Sequence, residues 1–439
     1  MSSYFLIIFH IMLITKIKSQ YFNFKIDFQI QPVPLEKSKE KIFSHYYEHE
    51  LTTYLCLGLP NQCFNLKLSF NSYNTWLCTN NNSNPIYYPN LSTSIKKLDT
   101  TKLISTSKHI TKGNYVKDVI DTEHNDNTII KFYITDNSNC SLIGKGELGL
   151  GNEDLLYTKN SNDSFIDQLY ENDIISGKVI SIKFNNETNG KIILGDSYDV
   201  YGEQKHLKIP SIGYSIVTSG SFINKIDVTS TLYSSNYPKV KCNIEINKRL
   251  VLNFGTSFII VPKYTFFNIS NVTFSSYFKN SICKIKYKED LQSDWIVCSE
   301  HILNTKLDDL VIHLNSGEKF QINLSKLFLP YQNDKLIFAI ISKPNLQYFI
   351  VGDIFLKRYT IFLDKDKKVM RLYSKNIKVK GTNNNPFGLV IMFVFGLSLI
   401  LCLWNIAETL CKKKPNKKNI LRNMKNFCKK KIKIELVCN

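Results

Sequence analysis

Two stretches constrain this chain more than any other feature. Leu68-Ser69-Phe70-Asn71-Ser72-Tyr73-Asn74-Thr75-Trp76 and Leu252-Asn253-Phe254-Gly255-Thr256-Ser257 each end an apolar, strand-like run. Phe64, Leu66 and Leu68 alternate into the first, and Cys242 to Leu252 rises into the second. Alternation with period two marks half-buried strands. An all-β chain, built largely of β-strands, is expected.

The two ends of the chain fix its expected compartment. Leu6 to Thr15 is an apolar run too short to span a bilayer, and Ser19 is a small residue suited to cleavage, so residues 1–19 read as a secretory signal. Pro386 to Trp404 is uncharged and rich in Phe, Leu, Ile, Val and Met. About 20 such residues suffice for a helix to cross the hydrocarbon core, which predicts one C-terminal transmembrane helix over residues 386–408. The tail, 409–439, carries Lys412, Lys413, Lys414 and eight further Lys or Arg residues against Glu435 alone. The positive-inside rule places that tail in the cytoplasm. A single-pass type I membrane protein of the secretory pathway or cell surface is therefore expected. The tail supplies about +10 of the net charge of +19, and its expected contact is anionic lipid, not nucleic acid.

Cys56, Cys63, Cys78, Cys140, Cys242, Cys283 and Cys298 fall on the lumenal side, where disulfides form. Their number is odd, which leaves at least one thiol unpaired within the set. Asn-x-Ser/Thr sequons at Asn81, Asn90, Asn139, Asn162, Asn186, Asn268, Asn271 and Asn323 are candidate glycosylation sites.

Four motifs, in order and at matching spacing, resemble those of the pepsin-like (A1) aspartic proteases. Asn253-Phe254-Gly255-Thr256-Ser257 resembles the Asp-Thr-Gly-Thr-Ser loop, and Ser69 to Trp76 resembles its partner, with Asn74 and Trp76 in register. Gly146-Glu147-Leu148-Gly149-Leu150-Gly151 resembles the Gly-Ile-Leu-Gly-Leu-Gly element that braces the first loop. Phe349 to Leu356 resembles Ile-Leu-Gly-Asp-x-Phe-Leu. Gly58-Leu59-Pro60-Asn61-Gln62 is similar to the turn of the family's first hairpin, and Ile110-Thr111-Lys112-Gly113 is similar to the start of its flap. The resemblance implies a bilobal pepsin-like acid-protease fold with a central cleft. A first lobe would cover 45–210 and a second 211–377, after a short polar N-terminal segment (20–44) and before a linker (378–385). It also implies disulfides Cys56–Cys63 across the first hairpin and Cys283–Cys298 in the second lobe. A cleft would be lined by Ser72, Lys112, Gly255, Thr256 and Ser257, with Lys112 or Tyr115 in place of the flap tyrosine.

The same resemblance exposes the departure that matters. Family members divide acid and base roles between two aspartates that share a proton. Here those positions hold Ser69 and Asn253, and no aspartate lies between Phe64 and Leu98 or between Val228 and Glu289 to replace them. Phe70 and Phe254 stand where the family has threonine, and two phenyl rings are expected to pack between the lobes. The expectation is a catalytically inactive, membrane-anchored glycoprotein that holds a peptide or protein in its cleft. The alternative is an active membrane-bound aspartic endopeptidase.

Other motifs are weaker. His45-Tyr46-Tyr47-Glu48-His49 fits a His-x-x-Glu-His zinc pattern, but that chemistry needs a helix and the stretch reads as a strand. Gly146 to Gly151 lacks the Lys-Ser/Thr of a phosphate loop. Thr218-Ser219-Gly220-Ser221 reads as a turn, Phe165 to Asn172 as a short helix, and His301 and His313 as lone histidines. No metal and no cofactor are expected.

Overall fold

The computed structural model describes residues 23–32, 46–79, 87–105, 110–121, 128–135, 146–151, 164–196, 206–212, 215–229, 241–305, 307–332 and 334–374. The signal (1–19), His45, Cys140, the sequons at Asn81, Asn139 and Asn162, the linker, the expected span (386–408) and the tail lie outside the described residues. Among the described residues no helix is long and apolar enough to cross a membrane.

The described chain is mostly β. Its first half holds β1 (Phe24–Pro32), β2 (His49–Leu57), β3 (Gln62–Ser69), β4 (Trp76–Cys78), β5 (Lys96–Ser105), β6 (Ile110–Ile120), β7 (Thr128–Thr135) and β8 (Gly146–Gly149). Helix α1 (Phe165–Glu171), β9 (Val179–Phe184) and β10 (Asn189–Leu194) follow. The second half holds β11 (His206–Ile212), β12 (Ser215–Thr229), β13 (Lys241–Leu252), β14 (Ile259–Pro262), α2 (Lys263–Lys279), β15 (Cys283–Lys288) and β16 (Ser293–Ser299). It closes with β17 (Leu310–Leu314), β18 (Lys319–Ile322), β19 (Phe328–Pro330), β20 (Lys335–Phe338), β21 (Ile340–Lys343), β22 (Tyr348–Val351), α3 (Asp353–Leu356), β23 (Tyr359–Asp364) and β24 (Val369–Ser374).

One antiparallel sheet joins the halves, in the order β1, β10, β9, β23, β24, β11. Its buried face carries Phe24, Ile26, Phe28, Ile180, Ile182, Ile192, Ile361 and Leu372, with these side chains nearly or wholly excluded from water. Strands from both ends of the chain are thus locked into one core. Hairpin β2–β3 turns at Gly58, whose φ of +83° favours glycine. Cys56 and Cys63 face each other across it and are disulfide-bonded, as are Cys283 and Cys298 across β15 and β16. Cys78 is also disulfide-bonded. Cys242 is free.

Three expectations are corrected, and one helix is longer than its composition favours. The segment 20–44 is not simply polar: β1 alternates buried Phe24, Ile26 and Phe28 with exposed residues and forms part of the central sheet. Thr218 to Ser221 is not a turn but lies inside β12, where the register to β13 slips between Thr218 and Phe222. Helix α2 runs for 17 residues. It buries Phe266, Ile269, Thr273, Phe274 and Tyr277, one face at helical spacing, which outweighs its β-branched and aromatic composition. His313 is not a lone histidine, because its Nε2 lies 2.7 Å from Asp227 Oδ2.

Candidate functional site

Each singled-out loop is held by the same device. The first leaves β3 and returns as β4, and β8 passes between them, parallel to β3 (Leu68 opposite Leu148) and antiparallel to β4 (Trp76 opposite Glu147). Leu150 N donates to Ser69 O at 2.7 Å and Gly151 N to Ser72 O at 2.9 Å. The second leaves β13 and returns as β14, and β22 passes between them, parallel to β13 (Leu252 opposite Val351) and antiparallel to β14 (Ile260 opposite Ile350). Asn253 N donates to Val351 O at 3.0 Å and Asp353 N to Thr256 O at 2.8 Å. Each bracing strand runs into a glycine that the close approach requires, Gly149 at the end of β8 and Gly352 just after β22. A Cβ on Gly149 would lie 2.6 Å from Asn74 O, and one on Gly352 2.4 Å from both Thr256 O and Phe258 O.

Within this frame Ser69 and Asn253 turn their polar atoms onto their own loops. Ser69 is buried, and its Oγ accepts from Ser72 N at 3.0 Å. Asn253 Oδ1 accepts from Gly255 N at 2.8 Å. Each side chain closes the turn that follows it, a role open to Ser and Asn. A hydroxyl and a carboxamide do not ionise in the range where carboxylates exchange protons. Phe70 and Phe254 meet between the loops, with ring centroids 4.7 Å apart and planes tilted by 44°. Phe254 also stacks on Phe184 at 6.4 Å.

A strap from the first half lies over the second loop. Tyr46 and Tyr47 form a helical turn and His49 opens β2. Ser257 N donates to Tyr46 O at 2.8 Å, and His49 N to Gly255 O at 3.0 Å. Thr256 Oγ1 donates to Tyr46 O at 3.4 Å and accepts from Phe258 N at 3.3 Å. The rings of Tyr46 and Tyr47 pack on Phe258. Behind the strap, His49 Nε2 lies 3.4 Å from Asp353 Oδ2, and Lys357 Nζ bridges Asp353 (2.9 Å) and Glu187 (2.8 Å). Burial works against the Lys357 charge, but Asp353 and Glu187 outweigh it and hold its pKa above the ordinary lysine value. The imidazole of the His-x-x-Glu-His pattern is therefore turned to a buried carboxylate.

A pocket of about 370 Å³ opens over the two loops. Ser69, Asn253, Gly255 and Thr256 line it, together with Glu50 and Lys67, which pair at 2.9 Å. Glu48 and Lys343 add one charge of each sign. Of the expected cleft residues, Gly255 and Thr256 reach this pocket. Ser72 and Ser257 are buried within the loops, and Lys112 is exposed on β6 opposite Leu103. Tyr115 is buried, stacks on Tyr133 at 4.8 Å and shares a cluster with Trp76 and Cys78. The Tyr46–His49 strap and the Glu50–Lys67 pair were not singled out as site residues from the sequence. Their positions depend on contacts across some 200 residues of chain or across a hairpin, and no local spacing signals them. Sequon residues Asn90, Asn186 and Asn271 are exposed, while Asn268 and Asn323 are half-buried.

A family model described as eukaryotic aspartyl protease matches residues 50–374. No curated protein matches the chain.

Proposed function

Because the chain belongs to the eukaryotic aspartyl protease family, we propose that it is a catalytically silent member that binds a peptide or protein segment over the two loops. The observation that carries this reading is the use of Ser69 Oγ and Asn253 Oδ1 as acceptors for Ser72 N and Gly255 N. Peptide hydrolysis by a paired-carboxylate site needs one charged group to activate water and one protonated group to polarise the carbonyl. Like charges held close split their pKa values and create that division. Ser69 and Asn253 supply neither half. General acid–base catalysis is worth about 10²–10⁴-fold by itself, and water activation is lost with it.

Binding needs less than catalysis does. An extended segment laid across the pocket would pair with exposed backbone, and side-chain recesses would select alternate residues. Glu48, Glu50, Lys67 and Lys343 favour a ligand carrying charges of both signs. The apolar run at Leu6–Thr15, the uncharged stretch Pro386–Trp404 and the Lys-rich tail support anchoring of this domain as a type I membrane glycoprotein.

The test is an assay of the purified full chain on a mixed peptide library between about pH 3 and 7, the range over which aspartic dyads work. The expected result is retention of a subset of peptides, with no cleavage and no binding of pepstatin-type inhibitors. Pepstatin-sensitive cleavage would overturn the proposal and establish the active endopeptidase instead. Protease treatment of sealed vesicles with the cytosolic face outward should remove only the Lys-rich tail, and cleavage near Asn186 would overturn the topology.

A further inference from the structure

Away from the two loops, β10, β1, β2 and β3 lie side by side around Phe28. Asn189, Gln29 and Thr52 stand in one row across three of these strands, and Tyr54 stands opposite Asn65 two residues further along β2. A recess of about 620 Å³ opens on this face, and Gln29, Thr52, Tyr54, Asn65, Asn185 and Asn189 line it. Two features distinguish it from an ordinary polar surface. Thr52 is only 7% exposed, and its Oγ1 is buried without a hydrogen-bond partner, an arrangement folded proteins avoid. Tyr54 is 70% exposed in the middle of a strand that is otherwise mostly buried.

The chemistry of the lining selects a class of ligand. Four carboxamides, those of Gln29, Asn65, Asn185 and Asn189, each offer a donor and an acceptor. The charged lining residue, Asp27, lies 3.6 Å from Lys191 Nζ, so the pair brings little net charge. A phosphate or carboxylate would find no cluster of cations here. A purely apolar ligand would leave the amides unpaired, which is costly. A sugar fits both requirements: its hydroxyls donate and accept in pairs, and its C–H face stacks on an aromatic ring such as Tyr54. We propose that this recess is a binding site for a neutral glycan, separate from the peptide pocket and independent of whether that pocket is catalytic.

The glycan has two possible sources. One is the chain itself, since the sequon Asn186-Glu187-Thr188 adjoins Asn185 in the β9–β10 hairpin. Asn186 is exposed, and its Oδ1 accepts from Thr188 N, Thr188 Oγ1 and Asn189 N. Those three bonds use Oδ1, and none of them uses Nδ2, the atom to which a glycan attaches. The other source is a partner glycoprotein.

The experiment uses the full chain with Thr188→Val, which removes this sequon but keeps both backbone bonds to Asn186 Oδ1. Mannotriose, chitotriose and maltotriose are titrated by saturation-transfer NMR and calorimetry. At least one should bind with a Kd between about 10 µM and 10 mM. Tyr54→Ala and, separately, Asn65→Ala should each weaken it about tenfold or more, a loss expected where a stacking or paired polar contact goes. Both residues are exposed, so circular dichroism and Tm should not change. If the glycosylated parent chain refuses the sugar that Thr188→Val binds, the Asn186 glycan is the occupant; if both bind it, the occupant comes from a partner. Absence of binding for all three sugars at about 10 mM, or binding untouched by both lining variants, would overturn the site.

Discussion

Replacing Phe70 and Phe254 with leucine, singly and together, tests whether an apolar contact now ties the two loops. Both rings are buried, at 6% and 4% exposure, and their centroids lie 4.7 Å apart. Leucine keeps most of the apolar volume, so each single change should cost up to about 1.5 kcal/mol. Phe254 should cost more than Phe70, because it also loses its stack on Phe184. A close aromatic pair contributes about 0.5–1.5 kcal/mol beyond its burial, and that part is lost on the first substitution only. The double variant should therefore fall short of the summed losses by about that amount. For a domain of this size, 1 kcal/mol moves Tm by about 2 °C, which calorimetry of the full chain resolves. Losses that add to within about 0.3 kcal/mol would refute the claim that the rings couple the loops.

Three further outcomes are expected. Gly352→Ala should cost about 3 kcal/mol, since its Cβ would meet two backbone oxygens at 2.4 Å; Gly177→Ala, with nothing within 4 Å, should stay within about 0.5 kcal/mol, and equal Tm values for the two would refute the bracing account. Burial opposes the Asp167 carboxylate, but Lys365, Ser164 and Lys178 outweigh it and lower its pKa below the ordinary 3.8. Its stabilisation is thus present above the unfolded value and lost as pH falls through the folded one, so the Tm gap between wild type and Asp167→Asn should close as pH falls below the ordinary 3.8; a gap that stays constant as pH falls from 7 into that range would contradict the assignment. Ser69→Asp alone should show no peptidase activity, because one carboxylate cannot divide the two roles. Ser69→Asp with Asn253→Asp should show at most a trace, and full turnover by the double variant would show that Phe70 and Phe254 do not limit the site.

What the sequence determined by itself was whatever depends on near neighbours or on repeated spacing. The alternation leading into Leu68 and Leu252 marked strands, and the resemblance of Gly146 to Gly151 marked the segment that braces the first loop; that β22 braces the second was decided by the structure. Cys56 and Cys63 were legible as a pair because seven residues of hairpin bring them opposite each other. Ser69 and Asn253 were readable as letters, and with them the fact that neither side chain ionises as a carboxylate does. Tertiary structure decided the rest. Strand β1 has the right alternation, but only pairing with β10, some 165 residues away, makes that short run a central strand. Helix α2 folds against its composition because burying one face of Phe266, Ile269, Phe274 and Tyr277 outweighs weak local propensity. The Tyr46–His49 strap, the Asp353–Lys357–Glu187 network and the unpartnered Thr52 hydroxyl arise from segments remote in sequence. Hydrogen bonds and burial at such places depend on where the whole chain puts a side chain, and no local pattern encodes that position.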